Sequence, residues 1–220
     1  MKNKLLMLSG ILAPIVDIFA VVLGGILWKE YSHLAQPVSD LLARNAPTKA
    51  MLDPIFGVYN LLTIAFGFGL LQYVRGDEQN RRKTIGLIGA WVLIAEGIFG
   101  FFDIVFCEDA YGGMAATIST TGMLHIVFAG LCSLSTMLAI LLLGFWFREN
   151  PRLRGYGLYS FISVAIIFIT GGITAYSVAN HTSLGGFFER ITQGAWLQWL
   201  FFVGLKMIWL ETANRQKVSQ

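Results

Sequence analysis

Apolar runs, each about as long as a membrane crossing, alternate with short polar stretches along the whole chain. The runs lie near 6–28, 52–74, 85–106, 121–147, 156–178 and 194–212. A hydrocarbon core of about 30 Å takes roughly 20 residues of α-helix to cross, and in lipid the backbone polar groups must bond within their own segment. The pattern therefore predicts an all-α membrane protein, a six-transmembrane-helix bundle forming one domain over 1–220. The first run follows Met-Lys-Asn-Lys, is interrupted by Pro14 and Asp17, and has no convincing small-residue cleavage site. It is expected to be a retained helix rather than a removed leader.

Composition agrees with this reading. Hydrophobic residues make up 55% of the 220 and charged residues 13%, against roughly a quarter charged in soluble domains. The net charge of +3 does not point to nucleic acid, because the basic residues cluster in short connections. The N-terminus, the 75–83 and 148–154 connections and the tail hold eleven Lys and Arg, whereas the other three connections hold four, Lys29, Arg44, Lys49 and Arg190. The excess of positive charge marks the inner side. Both termini are thus expected in the cytoplasm, the chain in the cell membrane, and the stretches 28–51, 107–120 and 179–193 outside. Cys107 and Cys132 have no CxxC partner and read as structural. His33 and His181 fall in the outward stretches and read as solvated surface.

Ionisable residues at membrane depth carry a free-energy cost and call for a reason. Asp17 lies midway along the first run and Glu96 midway along the third. Asp103 follows Glu96 by seven residues, which at 3.6 per turn puts both carboxyls on nearly one face. His125 opens the fourth run at the height where Asp103 closes the third, so the two are expected to meet. A carboxylate beside an imidazole fixes its tautomer and raises its basicity, which suits acid–base chemistry or metal binding; the competing reading is that each merely satisfies the other inside a bundle. Asp17 and Glu96 likewise read as a proton or cation path, or as neutral acids bonding a neighbouring helix. Lys206 is expected to reach the inner headgroups, with a pairing to Glu96 as the other option. The tryptophans Trp28, Trp91, Trp146, Trp196 and Trp199 sit near helix ends and suit the interfacial belts.

Three motifs then carry a resemblance. They are Tyr31 with Pro37-Val38-Ser39-Asp40-Leu41 and Asn45-Ala46-Pro47; Asp103 with Gly113, Thr117 and Gly122-Met123-Leu124-His125; and Gly185-Gly186-Phe187-Phe188-Glu189-Arg190-Ile191 before a last helix with Trp199. Together they resemble the domain-of-unknown-function 998 family of prokaryotic membrane proteins over nearly the whole chain. The resemblance implies a six-helix bundle without an established activity. It lifts Ser39, Asp40, Asp103, His125, Glu189 and Arg190 above the other polar positions. It also leads one to expect Pro where Phe102 stands, and hence a looser end to the third helix.

The expected function is the binding of a lipid headgroup or small amphiphile in an outward polar cleft, with Ser39, Asp40, Glu189 and Arg190 as binding residues and membrane lipids as partners. One alternative is an outer-leaflet lipid-modifying enzyme with His125 as base or metal ligand, Asp103 orienting it and Arg190 on a phosphate. Another is a small proton-coupled transporter using Glu96 and Asp17. No cofactor is indicated; a metal site, if there is one, would draw on His125, Asp103 and Asp40. Nothing in the chain names a protein partner or a copy number.

Overall fold

The computed structural model describes residues 2–110, 117–180 and 182–218, so His181 and Gly113 lie outside the described residues. Six α-helices follow one another: α1 Lys2–Leu27, α2 Lys49–Arg75, α3 Lys83–Val105, α4 Thr120–Glu149, α5 Arg154–Ala179 and α6 Gly185–Val218. A short 3-10 turn, Ser39–Leu42, interrupts the first connection, and there is no strand among the described residues. Five helices, α1 to α5, are long and apolar enough to cross a membrane. In α6 the apolar run is preceded by Glu189, Arg190, Thr192 and Gln193 and interrupted by Lys206.

Each helix packs on the one before and the one after it, and α6 returns to pack on α1. The result is a closed ring of antiparallel helices. Between helices in lipid there is little hydrophobic drive, so close backbone approach has to supply the contact energy. Glycine allows that approach: a Cβ on Gly97 of α3 would lie 3.0 Å from the Asn60 carbonyl of α2, and one on Gly157 of α5 would lie 2.9 Å from the Gly144 carbonyl of α4. At the closing seam, a Cβ on Gly204 of α6 would meet the Gly10 carbonyl carbon of α1 at 3.0 Å. Pro14 lies within α1 just beyond this crossing, where it removes one helical donor without ending the helix.

The observed helices match the six predicted runs closely except at α6, which begins at Gly185 rather than near 194. The cause is external capping. The first turn of a helix leaves N–H groups without internal partners, and here Gly186 N–H donates to Ala35 O (3.2 Å) and Phe187 N–H to Leu34 O (2.9 Å). The Gly-Gly pair that reads as loop is thus a helix start, and Gly186 has no room for a Cβ beneath the Gln36 carbonyl.

Further expectations, for the tryptophans, for the Lys206–Glu96 option and for the end of α3, are corrected. Trp28, Trp146, Trp196 and Trp199 are buried, and of the five tryptophans read as interfacial only Trp91 is exposed. Two of these indoles donate inside the ring, Trp196 to Tyr59 Oη (2.8 Å) and Trp199 to Ser160 Oγ (2.9 Å). Lys206 does not reach Glu96; its ammonium lies 4.0 Å from the centre of the Trp209 ring on its own helix. The end of α3 is firm rather than loose, because Phe102 and Phe106 both stack on Phe128 of α4, with ring centres 4.9 and 5.4 Å apart.

Candidate functional site

The ring encloses a cavity of about 330 Å3, and every helix contributes to its wall. The spacing of the contributors is helical. From α3 come Glu96, Gly100 and Asp103; from α4, His125, Ala129, Cys132 and Thr136; from α6, Glu189, Thr192, Gln193 and Trp196. Asp17 of α1, Asn60 of α2 and Ile167 of α5 complete the sides, and Val38, Ser39 and Leu42 of the first connection close one end.

Helices α3 and α4 run antiparallel in a register that brings Asp103 to His125. Asp103 Oδ1 lies 3.0 Å from His125 Nδ1, and the two form an ion pair when the imidazole is protonated. Seven residues back along α3 and seven further along α4, the Cys132 thiol is 3.9 Å from the Glu96 carbonyl oxygen. Glu96 is 5% exposed, and its Oε2 lacks a hydrogen-bond partner. Buried polar atoms are nearly always bonded, so this unpartnered carboxyl oxygen on the cavity wall requires an explanation.

The middle and outer layers expected from sequence therefore share one space. Asp17 takes the Gln193 side-chain amide on both carboxylate oxygens, at 3.1 and 3.0 Å. Glu189 Oε2 accepts the Val38 backbone N–H at 2.7 Å, which draws the first connection over the cavity.

That connection is pinned chiefly by Arg190. Its guanidinium donates to Gln36 O (3.0 Å) and Gly186 O (2.9 Å) through Nη1 and to Tyr31 Oη (2.5 Å) through Nη2, while His33 Nδ1 lies 3.1 Å from Nη2. Tyr31 Oη in turn donates to Pro37 O at 2.7 Å. His33 is therefore tied to the connection rather than simply solvated, and its imidazole is held below the usual range by partial burial and the adjacent guanidinium. Arg190 does not line the cavity.

Ser39 and Asp40 part company. Ser39 lines the cavity. Asp40, 1% exposed, sits behind the wall and accepts the Gln36 side-chain amide at 3.1 Å. Among the described residues no three of His, Cys, Asp and Glu gather in a metal-binding group, and Asp40 does not join His125 and Asp103 at the cavity.

Glu108 follows α3 on the polar connection. Burial, and then the charge of Asp40, push its carboxyl from 4.5 up to about 7. The fold thus favours the protonated acid. This preference leaves stability unaffected below pH 4.5 and lowers it as pH rises from 4.5 through about 7, where the folded protein must finally ionise the group. Glu108→Gln is accordingly expected to leave melting unchanged at pH 4 and to raise stability at pH 8 by about 1–2 kcal/mol. Equal shifts at both pH values would refute the assignment.

Gln193, Asn60, Cys132 and Trp196 were not picked out from sequence as site residues. Asn60 is open to the test that singles out Asp17 and Glu96, since an amide within an apolar run also needs a partner; Gln193 falls in the outward stretch 179–193 and carries no such signal.

With five candidate spans and a ring of helices around internal acidic groups, this is a multi-pass helical membrane protein. It belongs to the family described as Protein of unknown function (DUF998), which matches residues 11–206. No curated protein and no solved structure matches the chain.

Proposed function

We propose that the chain is a single transmembrane domain of six spans, α6 included, with both termini in the cytoplasm and its cavity opening toward the outer leaflet, where it binds the polar head of a lipid or small amphiphile. The balance of basic residues supports the orientation, and the closure of the ring by α6 supports counting it as a span. One observation carries the binding reading: Glu96 Oε2, buried on the cavity wall, lacks a hydrogen-bond partner, and the Asp103–His125 pair faces the same space. A polar head supplies the missing partner, and a buried group left unsatisfied otherwise costs about 1–3 kcal/mol.

Arg190 serves this function by holding the connection over the cavity, not by taking a phosphate. Protein extracted from membranes in mild detergent is expected to carry a bound amphiphile in native mass spectrometry. Glu96→Gln and His125→Ala, each folded by its melting curve, should each weaken retention about ten- to a hundred-fold, as for loss of a charge-assisted hydrogen bond. Retention unchanged in both variants would sink the reading.

The 3.0 Å approach of Asp103 and His125 favours a second reading, a lipid-modifying enzyme with His125 as base. Ser39 shares the cavity with His125. Turnover of the bound amphiphile, abolished in His125→Ala while binding persists in Asp103→Asn, would select this reading over simple binding.

A further inference from the structure

We infer that the amphiphile bound here carries a cationic, amine-type head, and that it enters sideways between α1 and α6 with its chain left in the groove outside that seam. This rests on the reading of the cavity as a headgroup site.

The charge of the wall selects the head. Carboxyls reach the cavity from three helices, Asp17 of α1, Glu96 and Asp103 of α3 and Glu189 of α6, against a single group able to carry positive charge, His125. The guanidinium of Arg190 lines the outer groove rather than this cavity, with both Nη atoms engaged by Gln36, Gly186 and Tyr31 and its Nε unpartnered. Glu96 is buried with an unpartnered oxygen on this wall. An ammonium has three donors and no acceptor, which matches a wall rich in acceptors; a phosphate brings chiefly further acceptors to the same wall.

The route follows from a second cavity. An apolar groove of about 400 Å3 runs along the outside of the α1–α6 seam, lined by Ile18, Val22, Leu197 and Phe201 among others. It shares Asp17 and Gln193 with the inner cavity. The partition between groove and cavity therefore includes the contact from the Gln193 amide to both Asp17 oxygens. That amide is neutral and leaves the carboxylate without a cation. An ammonium forms a stronger, charge-assisted bond to the same oxygens, so an arriving head displaces Gln193 and passes inward while the chain stays among apolar side chains. Gly194 also lines the groove, and a Cβ there meets nothing within 4 Å, so the seam has room for the chain.

The test uses the full chain in lipid nanodiscs and dodecylamine carrying a photoreactive diazirine near the chain end, with the matching dodecanol and dodecyl phosphate as controls. The amine is expected to label Ile18, Val22, Leu197 and Phe201 at least ten-fold above the alcohol and the phosphate, with propylamine raising the melting temperature through the head alone. Gly194→Phe should cut seam labelling about ten-fold and leave the propylamine effect intact; Ile18→Trp serves as a second block should Gly194→Phe not fold. Amine labelling spread over the other lipid-facing helices, or unaffected by the block, would overturn the side entrance while the propylamine shift upholds the cavity reading. Equal seam labelling by the phosphate would overturn the cationic head. If neither propylamine nor any of the three amphiphiles shifts melting, the headgroup reading itself falls, and the inference with it.

Discussion

Arg190→Ala is expected to lower stability by about 2–4 kcal/mol, a fall of roughly 10 °C in the melting temperature. The guanidinium joins two elements: the α6 backbone through Gly186 O, and the first connection through Gln36 O and the Tyr31 hydroxyl. Its loss strands those acceptors and releases the segment that brings Val38 and Ser39 to the cavity. Arg190→Lys should recover less than half, because one ammonium cannot reproduce a planar fork reaching both sides. A mutant melting within 2 °C of the parent would show that the connection is held by Glu189 and packing alone. The same variant should weaken amphiphile retention, since the cavity loses one wall.

Gly204→Val should cost a comparable amount, about 2–4 kcal/mol. A Cβ at 204 would stand 3.0 Å from the Gly10 carbonyl carbon and 3.2 Å from Ile11 N. These are backbone atoms of α1, which cannot rotate away as a side chain can, so the two helices must separate. Gly204→Ala should shift stability in the same direction by less. Gly172→Ala is the control, since a Cβ at 172 meets nothing within 4 Å; replacing glycine within α5 should there be neutral or stabilise by up to about 1 kcal/mol. Thermal melting of the three variants separates the effect of the seam from that of helix propensity.

Much of this architecture is legible in the chain because lipid imposes a simple rule: apolar runs of sufficient length become helices. The meeting of Asp103 with His125 was also legible, since an antiparallel return brings the chain back to the same depth. Other features depend on partners distant in sequence. The start of α6 rests on the Leu34 and Ala35 carbonyls about 150 residues earlier, and no local pattern around Gly185-Gly186 reveals them. Arg190 was read as a phosphate ligand because an outward arginine beside a glutamate looks available; only the fold shows its donors facing Gln36 and Tyr31. The tryptophans misled for a similar reason, as position near a helix end fixes depth but not the side of the helix they occupy. Asp40 and Ser39 are adjacent in sequence, but only Ser39 reaches the cavity.

The circular order of packing also bears on how the molecule is assembled. Five of the six principal interfaces join helices that are consecutive in the chain, so each can form as soon as the next hairpin is inserted. Such local assembly carries little loop-closure entropy and is kinetically quick. The interface between α1 and α6 is different, because it waits for the whole chain to be synthesised. Until then the open arc exposes Asp17 on a helix whose partner, Gln193, has not been made. Closing the ring thus buries that carboxylate, and a slow or chaperone-dependent phase in membrane insertion should track substitutions at Asp17, Gln193 and Gly204 rather than at the interfaces between consecutive helices.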